Sequence, residues 1–232
     1  MVQLGAKRRE ERLLAYFDEN QVITAQKYNI ILCGTVFWGL LVNLAMCKSA
    51  WKILLYVPAG GFYIGTILLS VIGIFMTAKS QKPVISFIGY NLMVISFGLI
   101  LSVTVAVYGG LNSAIVQEAF LITVCITGAM TLFAISRPEQ CERFGVYLLP
   151  CLIGMLIAEL IMMLFHMDNA IISWISAALF SMYIAYDVYR SQQFPKTVDN
   201  AIDCAADIYL DIINLFINIL EILGRSSGKR RR

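Results

Sequence analysis

Long apolar stretches alternate with short polar segments along most of this chain, and they set its architecture. Seven runs have roughly the 17–25 residues that an α-helix needs to cross a hydrocarbon core of about 30 Å. They are too long for the strands of an outer-membrane barrel and lack the alternation of such strands. The pattern predicts seven membrane-spanning helices, at residues 30–47, 53–78, 84–108, 115–135, 144–165, 170–189 and 205–223.

The seventh run differs from the others because polar side chains recur along it at helical spacing. They follow one another at steps of three or four residues, so they form one polar stripe on a helix. A charged Asp at the centre of a bilayer costs roughly 2.5–3.5 kcal/mol on insertion scales. We therefore expect this helix to stand in the centre of the bundle, with its stripe turned away from lipid. The stripe consists of Asp203, Asp207, Asp211, Asn214, Asn218 and Glu221.

The composition agrees with a membrane protein. Of 232 residues, 59% are hydrophobic and 14% are charged, against about 25% charged in an ordinary soluble domain. The expected fold class is an all-α polytopic membrane protein with one compact seven-helix domain at residues 30–224. A cytoplasmic amphipathic segment at 1–29 precedes it and a basic tail at 225–232 follows. Because the first long apolar run begins only at Ile30, no cleavable signal peptide is expected.

Some local features predict departures from straight, evenly packed helices. The segment Pro58-Ala59-Gly60-Gly61 and Pro150 predict a kink or loosening of the second and fifth helices. Gly61 and Gly65 lie four residues apart, a spacing that allows close helix contact. The six cysteines are scattered without a CxxC pattern, so we expect small buried side chains in preference to disulfides or metal ligands.

Lysine and arginine residues orient the predicted bundle. Eleven of them fall on the side of the N-terminus and two on the opposite side, up to the start of the seventh run. Cytoplasmic loops are enriched in these residues, which predicts a cytoplasmic N-terminus. Five more basic residues follow the seventh run and oppose this assignment. The charges around the first helices usually dominate the orientation of the whole bundle. We therefore expect that all seven helices cross the membrane. The alternative is a re-entrant last helix that returns to the cytoplasm.

Carboxylates within the apolar runs carry the candidate chemistry. Asp187 lies near the cytoplasmic end of the sixth run and Asp211 in the first half of the seventh, so antiparallel helices bring them together. Neighbouring carboxyl groups in a low dielectric tend to share a proton, which makes a pH sensor. Carboxylate oxygens also bind hard cations such as Ca²⁺. The alternative is that these groups only form hydrogen bonds between helices. A supporting polar pathway is expected at Asp207, Glu159, Tyr183 and Asn214.

The sequence contains little that indicates an enzyme. No HExxH, GxSxG or P-loop motif is present, and these motifs carry metalloprotease, hydrolase and nucleotide chemistry. The aspartates lack the neighbouring glycines of the GxGD motif of intramembrane aspartyl proteases. No predicted span contains a lysine that could form a Schiff base with retinal, so a retinal protein is not expected. Nucleic-acid binding is not expected, since acidic residues dilute the basic N-terminal cluster. We expect a protein that is not an enzyme and needs no cofactor.

The last third of the chain resembles the Bax inhibitor-1 family. The sixth run ends in Tyr186-Asp187, and residues 209–216 read YLDIINLF, both similar to motifs of that family. The resemblance implies six helices around a central seventh and a pH-sensitive calcium leak. It also implies that Asp187 and Asp211 are the sensor and gate, and transient Ca²⁺ ligands. Eukaryotic members reside in the endoplasmic reticulum and bacterial members in the cell membrane, and we expect the latter here.

One feature of the family pattern is missing. Family members often carry a glutamate and an arginine in the second and third helices, which pair as a latch, and the second span here has neither. Glu159 is the candidate substitute.

The leading expectation is a monomeric channel in the lipid bilayer that responds to protons and passes Ca²⁺. Two alternatives stay open. One is a non-conducting protein that binds membrane partners, such as proteases or survival regulators. The other is a proton-coupled transporter.

Overall fold

A computed structural model describes residues 21–165 and 170–230, most of which are helical. Residues 1–20 of the expected amphipathic segment lie outside this part of the chain. A short 3-10 helix, Ala50–Leu55, precedes the second α-helix. The described residues form seven α-helices: α1 (Ala25–Met46), α2 (Ala59–Lys79), α3 (Pro83–Val107), α4 (Ala114–Ser136), α5 (Pro138–Leu164), α6 (Ala170–Ser191) and α7 (Val198–Arg230).

The first six helices have the properties of membrane spans. Each contains a stretch that is long and apolar enough to cross a membrane, and many of their large hydrophobic side chains lie on the outer surface of the bundle. The helix that bears the polar stripe, α7, is not among the six spans found in the described residues. The predicted all-α polytopic membrane fold is confirmed.

The last helix occupies the centre of the bundle. It packs against α1, α3, α4 and α6, while α2 packs mainly on α3 and α5 mainly on α6. Small and large side chains from different faces of α7 are fully buried, among them Ala201, Ala205, Tyr209, Leu215 and Leu220. A helix buried on several faces can keep polar groups away from lipid, as the stripe predicts.

The second predicted run begins differently from the expectation. Its first residues form the 3-10 helix, and α2 starts at Ala59, directly after Pro58 at the N-cap position. Proline disfavours the α conformation in the residue before it, so the chain cannot continue one helix through Val57. The predicted kink within the second helix is therefore wrong, since the proline marks where that helix begins. Pro150 does lie inside its helix, α5, without ending it.

Glycines allow close packing of α2 on α3, but not at the predicted positions. A Cβ added at Gly65 would meet nothing within 4 Å, and one at Gly61 would meet only Val57, at 3.7 Å. The close approach occurs at Gly73 and Gly89. A Cβ at Gly73 would lie 2.7 Å from the carbonyl oxygen of Gly89, and one at Gly89 would lie 2.8 Å from that of Gly73. These two glycines let the backbones touch.

The central helix is longer than its apolar run at both ends. It begins at Val198, where the side chain of Thr197 accepts a hydrogen bond from the backbone N–H of Asn200 at 3.2 Å. This is the N-capping arrangement that favours a helix start, and Asp199 in the first turn complements the helix dipole. At the other end α7 continues to Arg230, through most of the expected tail.

The cysteines only partly follow the expectation of burial. All six are free thiols. Cys47, Cys141 and Cys204 are buried, whereas Cys33, Cys125 and Cys151 are exposed on the outer surface of the bundle. A thiol is small and weakly polar, and a lipid-facing surface accepts such a group as readily as a protein core does.

Candidate functional site

The two aspartates on α6 and α7 meet in the interior of the bundle. These helices are adjacent in sequence, run antiparallel and pack along each other. Asp187 is 9% exposed and Asp211 is 7% exposed. A side-chain hydrogen bond joins their carboxyl groups, and Asp207 lies close enough to interact with Asp211 electrostatically. The fold thus places two carboxyl groups in direct contact in a mostly apolar surrounding.

One oxygen of this pair stands apart. Within the described residues, Oδ2 of Asp211 is buried and has no hydrogen-bond partner. A buried polar atom without a partner is costly, and such atoms in native folds often mark functional positions. The pair therefore has acceptor capacity that the described protein groups do not use.

Arg190 lies beside the pair, on the same helix as Asp187. Its Nη1 atom is 3.7 Å from Oδ1 of Asp187, one helical turn away, and its side chain is only 16% exposed. The guanidinium also lies over two aromatic rings, 5.9 Å from the centroid of Tyr186 and 5.1 Å from that of Phe194. Arg190 is thus held in place by an ion pair and two cation–π contacts.

A cavity of about 370 Å³ opens next to these residues, between α2, α3, α6 and α7, and several charged side chains interrupt its mostly apolar lining. From α7 it is lined by Asn200, Asp203 and Asp207, from α6 by Arg190 and from α2 by Lys79. Asp207 stands one helical turn from Asp211 on the same helix. The cavity therefore approaches the aspartate pair from the end of the bundle that contains the α6–α7 connection.

The predicted polar pathway also includes Tyr183 and Asn214, which lie about one helical turn from Asp187 and Asp211. Tyr183 packs with the apolar cluster between α5 and α6, together with Leu148 and Leu179. The Nδ2 group of Asn214 donates to the carbonyl oxygen of Leu210 at 2.8 Å, and that of Asn218 donates to Asn214 O at 2.8 Å. Both of these bonds stay within α7.

Glu159 is not part of the site around Asp187. It lies near the opposite end of the bundle, where Ser176 Oγ donates to Glu159 Oε1 at 3.4 Å and Ser173 Oγ donates to Glu221 Oε2 at 3.0 Å. Ser176 is eleven residues from Asp187, which is about 16 Å along an α-helix. Glu159 thus lies near Glu221 of the stripe, about 16 Å along the helix from the level of Asp187. Its place in a polar pathway stays a prediction.

The connection between the two aspartate helices is bonded to the segment that directly precedes α1. Val22 forms an isolated antiparallel bridge with Thr197, and Ile23 N donates to Lys196 O at 2.8 Å. The Lys196 amino group donates to the carbonyl oxygen of Gln192 at 2.8 Å. Burial lowers the pKa of this lysine below its ordinary value. These contacts hold the α6–α7 connection against the segment that precedes α1.

Comparison with known proteins places the chain in a family. A family model described as "Inhibitor of apoptosis-promoting Bax1" matches residues 19–228. The chain belongs to the Bax inhibitor-1 family. The match covers both aspartates and all seven α-helices except the last two residues of α7, so the resemblance seen in the last third extends over nearly the whole chain.

Relatives of this Bax inhibitor-1 family chain come from bacteria and a plant. An uncharacterised protein of Helicobacter pylori strain J99 is 35% identical over 117 residues, 49% of this chain and 50% of that protein. Inner membrane protein YbhL of Escherichia coli K12 is 27% identical over 223 residues, 88% of this chain and 92% of that protein. A BI1-like protein of Arabidopsis thaliana is 30% identical over 150 residues, 62% of this chain and 57% of that protein.

These matches agree with a multi-pass integral membrane protein. The chain spans about half the length of the first curated relatives it matches, whereas the match to YbhL covers most of both proteins.

Some residues of this Bax inhibitor-1 family site were missed by sequence reasoning. Arg190 was counted only for membrane orientation, although its spacing of three residues from Asp187 is that of an ion pair on one helix face. A second contact had no sequence signal. Ser86 Oγ of α3 donates to Asp199 Oδ1 at the start of α7, at 2.6 Å in a buried position. Such a pair between distant segments depends on how the helices pack.

Proposed function

We propose that this protein is a pH-sensitive calcium-leak channel whose gate is the pair Asp187 and Asp211. The observation that carries the proposal is the direct contact between these two buried carboxyl groups at the centre of a membrane bundle. Acidic side chains in such a place are costly to keep, and they commonly line ion pathways or proton relays. Membership of the Bax inhibitor-1 family supports the same proposed function.

Two carboxyl groups in contact offer a simple link between protons and cations. When the pair shares a proton, the charge that attracts a cation is smaller and the two groups hold each other by a hydrogen bond. When both groups are ionised, they repel each other and present oxygen ligands that suit Ca²⁺. Each protonation state thus favours a different arrangement of α6 and α7, which biases a two-state equilibrium.

A conducting site must also release its ion. In the described residues, no group of three or more Asp, Glu, His or Cys side chains is arranged to hold a metal ion. Ca²⁺ takes six to eight oxygen ligands when it is bound tightly. A pair of carboxylates with water completes this number only loosely, and weak binding is what conduction requires. Ca²⁺ is accordingly the proposed cargo.

The cavity lined by Asp203, Asp207 and Arg190 supplies the access route in this proposal. It lies at the end of the bundle that contains the α6–α7 connection, which the basic residues of the sequence assign to the cytoplasm. The proposed setting is a bacterial cell membrane with a cytoplasmic N-terminus. The printed name of YbhL, an inner membrane protein, favours this setting.

Calcium flux into liposomes tests the proposal. Purified protein is reconstituted with a Ca²⁺-sensitive dye inside the vesicles, and the initial flux is measured across a range of pH. Wild-type protein is expected to pass Ca²⁺ with a flux that falls as the pH is lowered. Asp187→Asn and Asp211→Asn are expected to change the flux and to remove its pH dependence. Glu139→Gln, an exposed carboxylate in the first turn of α5, is the matched control.

The outcomes separate the proposal from its alternatives. A non-conducting interaction protein would give no flux above empty vesicles. A proton-coupled transporter would show proton movement only when its own substrate is present. Unchanged flux and unchanged pH dependence in both aspartate variants would refute the gate assignment.

A further inference from the structure

The cavity next to the aspartate pair is lined by a positive charge of the protein itself, as well as by carboxylates. Arg190 lines this cavity together with Asp203 and Asp207, and its guanidinium lies 3.7 Å from Asp187. It therefore stands among the carboxylates that a cation would meet on the way to the pair. Lys79 lines the cavity too, but its amino group lies over the ring of Phe75, 4.0 Å from the centroid, in the last turns of α2.

The position of Arg190 is fixed by contacts on several sides. The rings of Tyr186 and Phe194 lie under the guanidinium and Asp187 lies beside it. A planar guanidinium stacks on aromatic rings and binds carboxylates in ways that an ammonium group does not. A side chain held in this manner keeps its charge at one place in the cavity.

We propose that Arg190 is a selectivity-determining residue, a tethered counter-ion that a permeating cation must displace or approach against repulsion. The inference rests on the proposed function in one respect, because it takes cations as the cargo. It adds a residue that sets which cations pass. In the resting arrangement Arg190 partly neutralises the cavity carboxylates, and its charge opposes cations in proportion to their own charge.

This proportionality gives a quantitative expectation. The Coulomb energy between a fixed charge and an ion is twice as large for a divalent ion as for a monovalent ion at the same place. Removal of the Arg190 charge therefore raises the occupancy of the cavity by some factor for Na⁺ and by the square of that factor for Ca²⁺. For a partly screened charge we expect about threefold for Na⁺ and about ninefold for Ca²⁺. A side chain that only blocked the path would change both ions by the same factor.

The experiment compares Na⁺ and Ca²⁺ uptake into proteoliposomes at one fixed pH and below saturation. Arg190→Gln removes the charge, and Arg190→Met also removes it while keeping an apolar stem against the two rings. Arg190→Lys keeps the charge. The control is Arg143→Gln, which removes an exposed arginine of α5 and changes the net charge equally. Size-exclusion profiles and thermal unfolding check that each variant is folded. If Arg190→Gln does not fold, Arg190→Met replaces it in the comparison.

Both neutral variants are expected to show the larger factor for Ca²⁺, near the square of that for Na⁺. Arg190→Lys keeps the charge without the stacking of the guanidinium, so its factors for both ions are expected to lie between those of wild type and the neutral variants. Arg143→Gln is expected to stay near wild type. Equal factors for the two ions, or no change relative to the control, would overturn the proposal.

Equilibrium binding separates this proposal from the proposed function. Dialysis of detergent-solubilised protein against Ca²⁺ needs no transport, and the neutral variants are expected to bind Ca²⁺ about ninefold more tightly than wild type. If the wild-type protein carries no flux, the channel proposal fails, while this binding difference still decides the role of Arg190. An unchanged dissociation constant in both neutral variants would contradict that role.

Discussion

The contact between Gly73 and Gly89 gives the sharpest structural prediction. A Cβ at Gly73 would lie 2.7 Å from the carbonyl oxygen of Gly89 and 3.0 Å from the backbone N of Met93. Ordinary van der Waals contact begins at 3.4 Å, so Gly73→Ala requires α2 and α3 to separate by the difference, 3.4 − 2.7 = 0.7 Å. Because the obstructing atoms belong to the backbone, a side-chain rotation cannot relieve the clash.

The expected cost follows from comparison with a second glycine of the same helix. Overpacking of this kind costs about 1–3 kcal/mol, while Gly→Ala in a helix interior gains about 0.5–1 kcal/mol from conformational entropy. Gly65→Ala has the same entropic gain and no clash, since nothing lies within 4 Å of its added Cβ. The entropic gain therefore cancels between the two variants. Gly73→Ala should be less stable than Gly65→Ala by about 1–3 kcal/mol.

Thermal unfolding in a mild detergent measures this difference. For a chain of this size, 1 kcal/mol corresponds to roughly 2–4 °C in Tm. The two variants should then differ by roughly 2–12 °C, with Gly65→Ala at or above wild type. Equal Tm values for the two variants would show that the backbones of α2 and α3 are not in contact at these glycines.

Two buried hydrogen bonds give further predictions. Tyr209→Phe removes the acceptor of the Asn43 amide and should lower the unfolding free energy by about 1–3 kcal/mol. The double variant Asn43→Leu/Tyr209→Phe should recover part of this loss, which a double-mutant cycle measured by thermal unfolding would show. Ser86→Ala removes the donor to Asp199 and should cost about 1.5–3 kcal/mol, whereas Ser102→Ala on the same helix, whose hydroxyl donates to its own backbone at Leu99, should change the Tm far less. Equal losses in the two serine variants would contradict the inter-helix role of Ser86.

The central position of α7 could be predicted because its evidence lies in a single segment. Asp203, Asp207 and Asp211 recur at helical spacing, and an acidic face in a membrane has few stable positions other than the interior. The contact of Asp187 with Asp211 followed from the antiparallel order of two consecutive helices. Such local patterns need no knowledge of how distant helices pack.

The packing of distant helices could not be read from the sequence. Gly61 and Gly65 have the spacing of a contact motif, but the contact falls at Gly73 and Gly89, because small residues are necessary for close approach and do not by themselves specify it. Glu159 differs from these glycines, because it lies on α5, which directly precedes α6. The antiparallel order of these two helices places Glu159 opposite Ser176 and away from Asp187.

Calcium flux against pH in proteoliposomes tests the central claim most directly. Wild-type protein and the Glu139→Gln control should pass Ca²⁺ with a flux that falls on acidification. The double variant Asp187→Asn/Asp211→Asn should give a flux that is independent of pH, because neither amide titrates. A double variant that keeps the wild-type pH dependence would contradict the assignment of these two aspartates as the gate.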